Sequence, residues 1–372
     1  MKLMWLILFF VLPFVGLGYV LWHIWQILPF TTIVKSAVVA FCTLAFLSFF
    51  PVFFRYTDKL PINTASVLYE IGTSSIFIML YLLMLFLLAD VAKIFHIIPK
   101  GLLYSNIYSS IVVMIIIISV FVYGNINYNN KKRVELSLVT EKNIERDNFK
   151  IVLMSDLHLG YNNRKAEFAR WVEKMNAENP DLILIGGDII DTSIKPLIEE
   201  EISNEFKKLS APVYACLGNH EYFSGRQSAI EFYKESGINL LIDSVANLSS
   251  ISIIGRDDAS NAGRKSVAEL MNDALPGNYT VVLDHQPYNL NETEEAGVDF
   301  QFSGHTHRGQ VWPISWITDM MFEDSYGRLQ KGNTQYYVSS GIGIWGGKYR
   351  IGTRSEYVVV TLKRNRIYLG IQ

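Results

Sequence analysis

The chain of 372 residues holds only two cysteines, Cys42 and Cys216. Cys42 falls in an apolar stretch and Cys216 in the apolar run before Gly218, so neither a disulfide framework nor a thiolate metal site is expected. Charge is missing altogether from four long stretches, residues 3–34, 36–54, 71–89 and 101–130. About 20 apolar residues cross a bilayer, so these gaps exclude a wholly soluble chain and predict four transmembrane helices near residues 5–29, 36–54, 67–89 and 103–124. No small-residue cleavage pattern and no twin-arginine signal accompanies the first of them, which is therefore expected to remain as a span rather than to be cut off as a signal peptide. A basic tract and a basic stripe interleaved with aromatics are also lacking. That excludes nucleic acid as the main substrate.

What is present divides into two halves with different solvents. Hydrophobic residues make up 50% of the sequence and the mean hydropathy is +0.21, too apolar for one ordinary soluble domain. Residues 1–124 carry a net charge of +3 and the remainder −5. With the N-terminus inside, Lys2, Arg55, Lys59, Lys131, Lys132 and Arg133 lie on the cytoplasmic side against Lys35, Lys93 and Lys100 outside, which predicts a multi-pass protein with a cytoplasmic second half. Glu70, near the start of the third span, is expected to snorkel to the interface. The expected organisation is a membrane domain over 1–124, a polar, asparagine-rich linker over 125–132 and a catalytic domain over 133–372.

Within that last part, Arg133 to Thr140 alternates apolar and polar as a half-buried strand does. Short apolar runs follow at 151–154, 182–185, 213–217, 251–254, 281–283, 300–302, 336–339 and 357–362 and predict further strands. Amphipathic stretches at 165–178, 195–209 and 226–236 predict helices between the early ones, hence βαβ units. The fold expected is an α/β domain, a two-sheet sandwich flanked by helices, with the ligand-bearing motifs on loops just after strands.

Five of the seven histidines lie beyond residue 150, and all five fall in or beside compact motifs: Asp156 to Gly160 (DLHLG), Gly186 to Asp188 (GGD), Gly218 to Glu221 (GNHE), His285 in LDHQP and Gly304 to His307 (GHTH). Asp, Asn and His are the donors that a pair of hard to borderline divalent cations takes. Two such cations about 3.5–4 Å apart neutralise phosphate oxygens and lower the pKa of a bound water. A shared carboxylate is needed between them. Asp188 is the candidate bridge, because it follows an apolar run and two glycines that let the backbone approach closely.

In these motifs and their order the sequence resembles the calcineurin-like metallophosphoesterase family, over roughly residues 149–360, and within it the bacterial membrane-associated branch that includes UDP-2,3-diacylglucosamine hydrolases. The resemblance implies the four-layer αββα fold. It implies that Asp156, His158, Asp188 and His307 hold one metal and Asp188, Asn219, His285 and His305 the other, the ions being manganese, iron or zinc. It further implies that His220 binds no metal and acts as general acid beside the scissile phosphate, oriented by Glu221 or Asp156. Here the branch's usual GHTHGGQ reads GHTHRGQ, so Arg308 makes the mouth of the site tighter or more cationic than in relatives. Arg308, Arg350 and Arg354 are otherwise ordinary solvated charges or phosphate contacts.

The function expected is that of a phosphoesterase integral to the bacterial inner membrane, with metal-activated hydroxide as nucleophile and Asp188 and His220 as its catalytic residues. Its partners would be membrane lipids and a phosphorylated, lipid-linked small molecule such as UDP-2,3-diacylglucosamine, with no nucleic acid and no protein partner indicated. A phosphoprotein phosphatase and a non-catalytic membrane scaffold are the competing expectations.

Overall fold

A computed structural model describes residues 11–365. The chain forms two units, Met1–Ile126 with Gly346–Lys348, and Asn127–Trp345 with Tyr349–Gln372.

The first unit is helical: α1 (Leu12–Ile27), α2 (Thr32–Leu47), the short α3 (Phe49–Phe53), α4 (Ile62–Ile94) and α5 (Ile107–Asn129). Three stretches, Thr32–Phe53, Ile62–Ile94 and Ile107–Asn129, are long and apolar enough to cross a membrane. Helix α1 is apolar but has 16 residues, and residues 5–10 of the span expected there lie outside the described residues. Small and aromatic side chains such as Val20, Phe46 and Phe86 fill the interior, whereas Ile33 and Phe41 of α2 and Val112 and Ile115 of α5 point outward. Apolar outside as well as inside is what lipid solvation permits. At 1.5 Å per residue α4 is about 50 Å long, more than the roughly 30 Å hydrocarbon core. Beyond its charge-free part, Asp90 accepts a hydrogen bond from Tyr19 Oη (2.7 Å), lies 3.0 Å from His23 Nε2 and pairs with Lys93 Nζ at 2.8 Å. Glu70 is exposed.

The linker expected over 125–132 is not a loop. Helix α5 continues to Asn129 and strand β1 starts at Lys132, because the polar side chains of this stretch find partners. Asn127 Nδ2 donates to the carbonyls of Arg350 and Thr353 (2.8 and 2.6 Å), and buried Tyr128 donates to Asn163 Oδ1 and Glu167 Oε1 at 2.9 and 2.6 Å.

The second unit is built on two six-stranded sheets. One has the order β1 (Lys132–Thr140), β12 (Glu356–Arg364), β2 (Phe149–Met154), β3 (Leu182–Ile185), β4 (Val213–Ala215), β5 (Asn239–Leu240). The other runs β10 (Gly327–Lys331), β11 (Thr334–Val338), β9 (Phe300–Ser303), β8 (Tyr279–Leu283), β7 (Ile251–Gly255), β6 (Ser244–Asn247). Strands β2 to β5 are mutually parallel, as are β7, β8, β9 and β11, while β12 meets β2, β6 meets β7 and β10 meets β11 antiparallel.

Side-chain alternation places the layers. Ile151 and Leu153 of β2, Leu182 and Leu184 of β3, Val281 and Leu283 of β8, and Phe300 and Phe302 of β9 share one buried cluster between the sheets. The intervening Val152, Met154, Ile183 and Ile185 face the other way, onto Phe168 and Trp171 of α6 (Lys165–Ala177), Phe206 of α8 (Ser203–Phe206) and Phe232 of α10 (Arg226–Glu235). On the far side Ile254 and Val282 meet Val267 and Leu270 of α11 (Val267–Met271), and α12 (Leu290–Glu295) follows β8. The period of two thus sends alternate residues to opposite faces, giving helix, sheet, sheet, helix. The helix expected over 195–209 is two short ones, α7 (Lys195–Glu199) and α8, separated at Glu201, whose φ of 51° breaks the helix. The loops after β2, β3, β4, β8 and β9 converge at one end.

Candidate metal centre

Each predicted ligand arrives on one of those loops. Asp156 and His158 follow β2, Asp188 follows β3, His285 follows β8, and His305 and His307 follow β9. Asn219 and His220 do not sit on a loop as expected: they open a helix, α9 (Asn219–Ser224), directly after the β4 turn. The loops are stitched together by main chain. Asp156 N–H donates to Gly187 O, His158 N–H to Asp188 O, and Gly304 N–H to His285 O, at 3.1, 3.0 and 2.9 Å.

The carboxylates brace the backbone as well. Asp156 Oδ1 accepts from His305 N–H and Asp188 Oδ1 from His220 N–H, both at 2.9 Å. Gly187, with φ 82°, has no room for a side chain, since a Cβ there would lie 2.8 Å from His285 Nδ1. Among the positive-φ residues that are not glycine, seven belong to the site motifs or the turn after them: Asp156, His158, Asp188, His305, His307, Arg308 and Gln310. Such conformations cost on the order of 1–3 kcal/mol each and persist where the surroundings fix them, which is typical of functional sites.

The side chains gather into three groups whose ligand atoms lie within 4.8 Å of one another: Asp156, His158 and His307; Asp188, His285 and His305; and His158, Asp191 and His220. The first two contain six of the seven predicted ligands, and Asn219 joins the second through Oδ1, 2.8 Å from His305 Nδ1. Asp188 stands between them, with Oδ2 3.1 Å from His285 Nε2 and 3.7 Å from His158 Nε2. His158 Nε2 and His307 Nε2 are 3.0 Å apart. His285 Nδ1 donates to Gly186 O at 2.7 Å and His158 Nδ1 to Asp191 Oδ1 at 3.2 Å. Both rings are thereby turned so that Nε2 points inward, the usual way an outer hydrogen bond orients a ligand imidazole.

Electrostatics agrees with a cation site. Burial holds His307 far below the ordinary imidazole range, helped by the charge on His158. Burial, then the charge on His285, brings His305 down to about 3. For His285 burial opposes protonation, but Asp188 and Asp156 outweigh it and the ring is held well above the usual value. His158 is raised in the same way, against burial, by Asp191 and Asp188. Asp188 itself is driven well below the carboxylate range because three imidazoles outweigh its burial. Positive charge is thus favoured beside Asp188, where His285 and His158 hold protons, while burial keeps His305 and His307 neutral, the form in which an imidazole can ligate a cation. Asp156 Oδ2, fully buried, has no hydrogen-bond partner, as a carboxylate oxygen kept for a metal would. The donor set of Asp, Asn and His suits divalent ions.

Two expectations about supporting residues change. Glu221 does not orient His220. Its buried carboxylate accepts from the N–H groups of Gly218 (2.7 Å), Asp188 (3.1 Å) and Ile190 (2.9 Å), and the Asp156 carboxylate is taken by His305. His220 is set instead by Asp191, whose carbonyl accepts from Nδ1 at 3.0 Å and whose Oδ1 lies 3.7 Å away. Asp191 was missed because one Asp before Thr and Ser reads as a surface turn; its place three residues after Asp188 was the available signal. Arg350 is not solvated. It is fully buried, donating from Nη1 to His307 O (2.7 Å) and from Nη2 to the carbonyls of Ser340 and Gly343, with burial bringing its pKa down to about 10. Arg308 lies over the Tyr326 ring at 4.6 Å.

Comparison with known proteins bears on the whole arrangement. The model of the calcineurin-like phosphoesterase family matches residues 149–309. A metallophosphoesterase of Campylobacter jejuni is 33% identical over 260 residues, covering 67% of this chain and 68% of that one. One from Helicobacter pylori is 31% identical and covers 57% of this chain and 59% of its own. A transmembrane protein with a metallophosphoesterase domain from Danio rerio is 28% identical over 68% of this chain and 63% of its own length. The chain belongs to the calcineurin-like metallophosphoesterases, hydrolases of phosphate esters, and carries that family's domain after a set of apolar helices.

Proposed function

We propose that this protein is a membrane-integral two-metal phosphoesterase that cleaves a phosphodiester or pyrophosphate bond in a lipid-linked substrate. The observation that carries the reading is the position of Asp188, whose carboxylate lies between the His158 and His285 imidazoles. Asp156, His158, Asp188 and His307 would hold one divalent ion and Asp188, Asn219, His285 and His305 the other. When bound, such ions neutralise phosphate oxygens and make water acidic enough to act near neutral pH.

The chain's own residues do the rest. Glu221 and Asp156 fix the backbone on which the ligands ride. His220, held through Nδ1 by the Asp191 carbonyl, keeps Nε2 free for the leaving oxygen and serves as general acid. Burial lowers its pKa, and the substrate's own negative charge would favour the protonated ring. A lipid substrate follows from the apolar helices, since a domain tied to a bilayer meets amphiphiles at high local concentration. UDP-2,3-diacylglucosamine is the specific candidate, acted on at the cytoplasmic face of an inner membrane crossed by four spans.

The test is hydrolysis by the detergent-purified full chain of bis-p-nitrophenyl phosphate and of UDP-2,3-diacylglucosamine, with manganese added or chelated, beside Asp188→Asn. Manganese-dependent turnover that disappears in the variant together with both metals is expected. Turnover unchanged by chelation and by the substitution would refute the two-metal reading. Turnover of the diester without the lipid nucleotide would remove that substrate.

A further inference from the structure

The segment after His307 carries an apolar surface that the catalytic cluster does not use. Helix α13 (Ile314–Met321) has the sequence ISWITDMM, and its outer face, with Trp312 just before it, shows Trp316 (60% exposed), Ile317 and Met320 (79% exposed) to solvent. Trp312 and Trp316, four residues apart, meet edge to face at 5.3 Å. The only ionic side chain in residues 311–322, Asp319, is engaged by Ser325 Oγ. Single exposed apolar residues are ordinary, but a contiguous uncharged patch of this kind marks a contact surface.

This surface is fixed to the metal centre at both ends. Gly309, two residues after His307 and at φ 66°, packs directly on the backbone of Ile314 and Ser315, and Ile314 N–H donates to Val311 O at 2.9 Å. At the far end Thr306 Oγ1, within GHTH, donates to Ser325 O at 2.6 Å. Two further aromatic rings stand between the end of the helix and the site. Phe322, next after α13, stacks on Tyr288 at 5.3 Å and 18°, and both rings adjoin the His305 imidazole, at centroid distances of 6.0 and 6.4 Å. Tyr288 is itself part-exposed.

We propose that α13, with Tyr288 backed by the buried Phe322, is the platform on which the alkyl chain of an amphiphilic phosphoester lies while its phosphate occupies the candidate metal centre. The proposal rests on the reading that the substrate is lipid-linked, and adds the residues that recognise the tail. The occupant follows from the placement: exposed Trp and Met on a segment anchored to Thr306 and Gly309, with the part-exposed Tyr288 ring beside the His305 imidazole, match a molecule that is polar at one end and aliphatic at the other.

The experiment compares ethyl p-nitrophenyl phosphate with dodecyl p-nitrophenyl phosphate, in the same detergent micelles, on the full chain and on Trp316→Ser/Met320→Ser. Wild type should prefer the dodecyl ester. The double variant should lower that preference about tenfold, what losing contact with roughly two methylenes gives, chiefly through KM. Trp316→Phe/Met320→Leu should restore it. Wild type with no chain-length preference overturns the amphiphile reading and this inference with it. A preference that survives in the serine variant overturns the platform alone, as expected if α13 meets the bilayer instead of substrate. An equal fall for both esters with an unchanged melting temperature also overturns it, since the lost side chains would then serve both substrates alike.

Discussion

The most exacting test of the site's architecture is the substitution Glu221→Gln. Glu221 is buried and its two oxygens accept three backbone N–H groups, from Gly218, Asp188 and Ile190. These tie the β3 and β4 loops together under the candidate bridging carboxylate. A glutamine oxygen placed at Oε2 keeps the first two bonds but turns an amide NH2 toward the Ile190 N–H, leaving a buried donor without an acceptor. That costs about 2 kcal/mol, or about 4–8 °C in the melting temperature of a domain of this size. Burial first, and the charge on Asp188 second, push the carboxyl from 4.5 up to about 7. In metal-free protein the folded state therefore holds a proton that the unfolded chain has already released. This contribution to stability is fully present below pH 4.5 and is lost as the pH rises through about 7. Thermal melts in chelator should show the variant below wild type at pH 5, with the gap narrowing toward pH 7.5. Equal melting at pH 5, or a gap that widens with pH, refutes the reasoning. A slowed turnover with an unchanged melt would restore Glu221 as the residue that orients His220.

Three further outcomes are expected. His220→Ala should retain both metals by elemental analysis and slow turnover by about 10²–10⁴-fold, the range for a lost general acid; loss of metal would contradict the role. Asp191→Asn leaves the carbonyl that holds His220 but weakens the acceptor for His158 Nδ1, so metal affinity measured by titration should fall about 10–100-fold. Arg350→Lys cannot reach the His307, Ser340 and Gly343 carbonyls from one ammonium as the guanidinium fork does, so the melting temperature should drop by about 5 °C or more, and an unchanged melt would show those bonds to be dispensable.

The site was legible in the sequence because its parts are local. Candidate ligands that sit two to four residues past the end of a strand must appear as short motifs, and Asp156, His158, Asp188, Asn219, His285, His305 and His307 all do. Fully buried strands were legible for a related reason: Leu182–Ile185 is apolar on both faces and bounded by Asp181 and Gly186. The strands that were missed are edges or short. Gly327–Lys331 reads GRLQK, with no apolar face to betray it, Asn239–Leu240 has two residues, and Ser244–Asn247 is half-exposed. The supporting residues were illegible because their partners are distant in sequence. Arg350 meets His307 across 43 positions, and nothing local distinguishes a guanidinium buried among carbonyls from one in solvent. Asn127 and Tyr128 read as linker for the same reason: the groups that accept from them, on Arg350, Thr353, Asn163 and Glu167, are distant in sequence.

Each ligand group draws on both sheets. Asp156 and His158 come from the first sheet and His307 from the second; Asp188 and Asn219 come from the first, His285 and His305 from the second. The interior between the sheets, Leu153, Leu184, Leu283 and Phe302 among others, therefore holds the two halves of each group in register before any cation arrives. It also sustains the left-handed residues and the like charges that the loops would not tolerate alone. Those costs are the counterpart of binding: a centre with two neighbouring buried carboxylates, Asp156 and Asp188, and an unpartnered Asp156 oxygen is one that two divalent ions would relieve. Metal binding and the docking of one sheet on the other are then linked equilibria, so loosening the sandwich should weaken both metals together, even where no ligand has been touched.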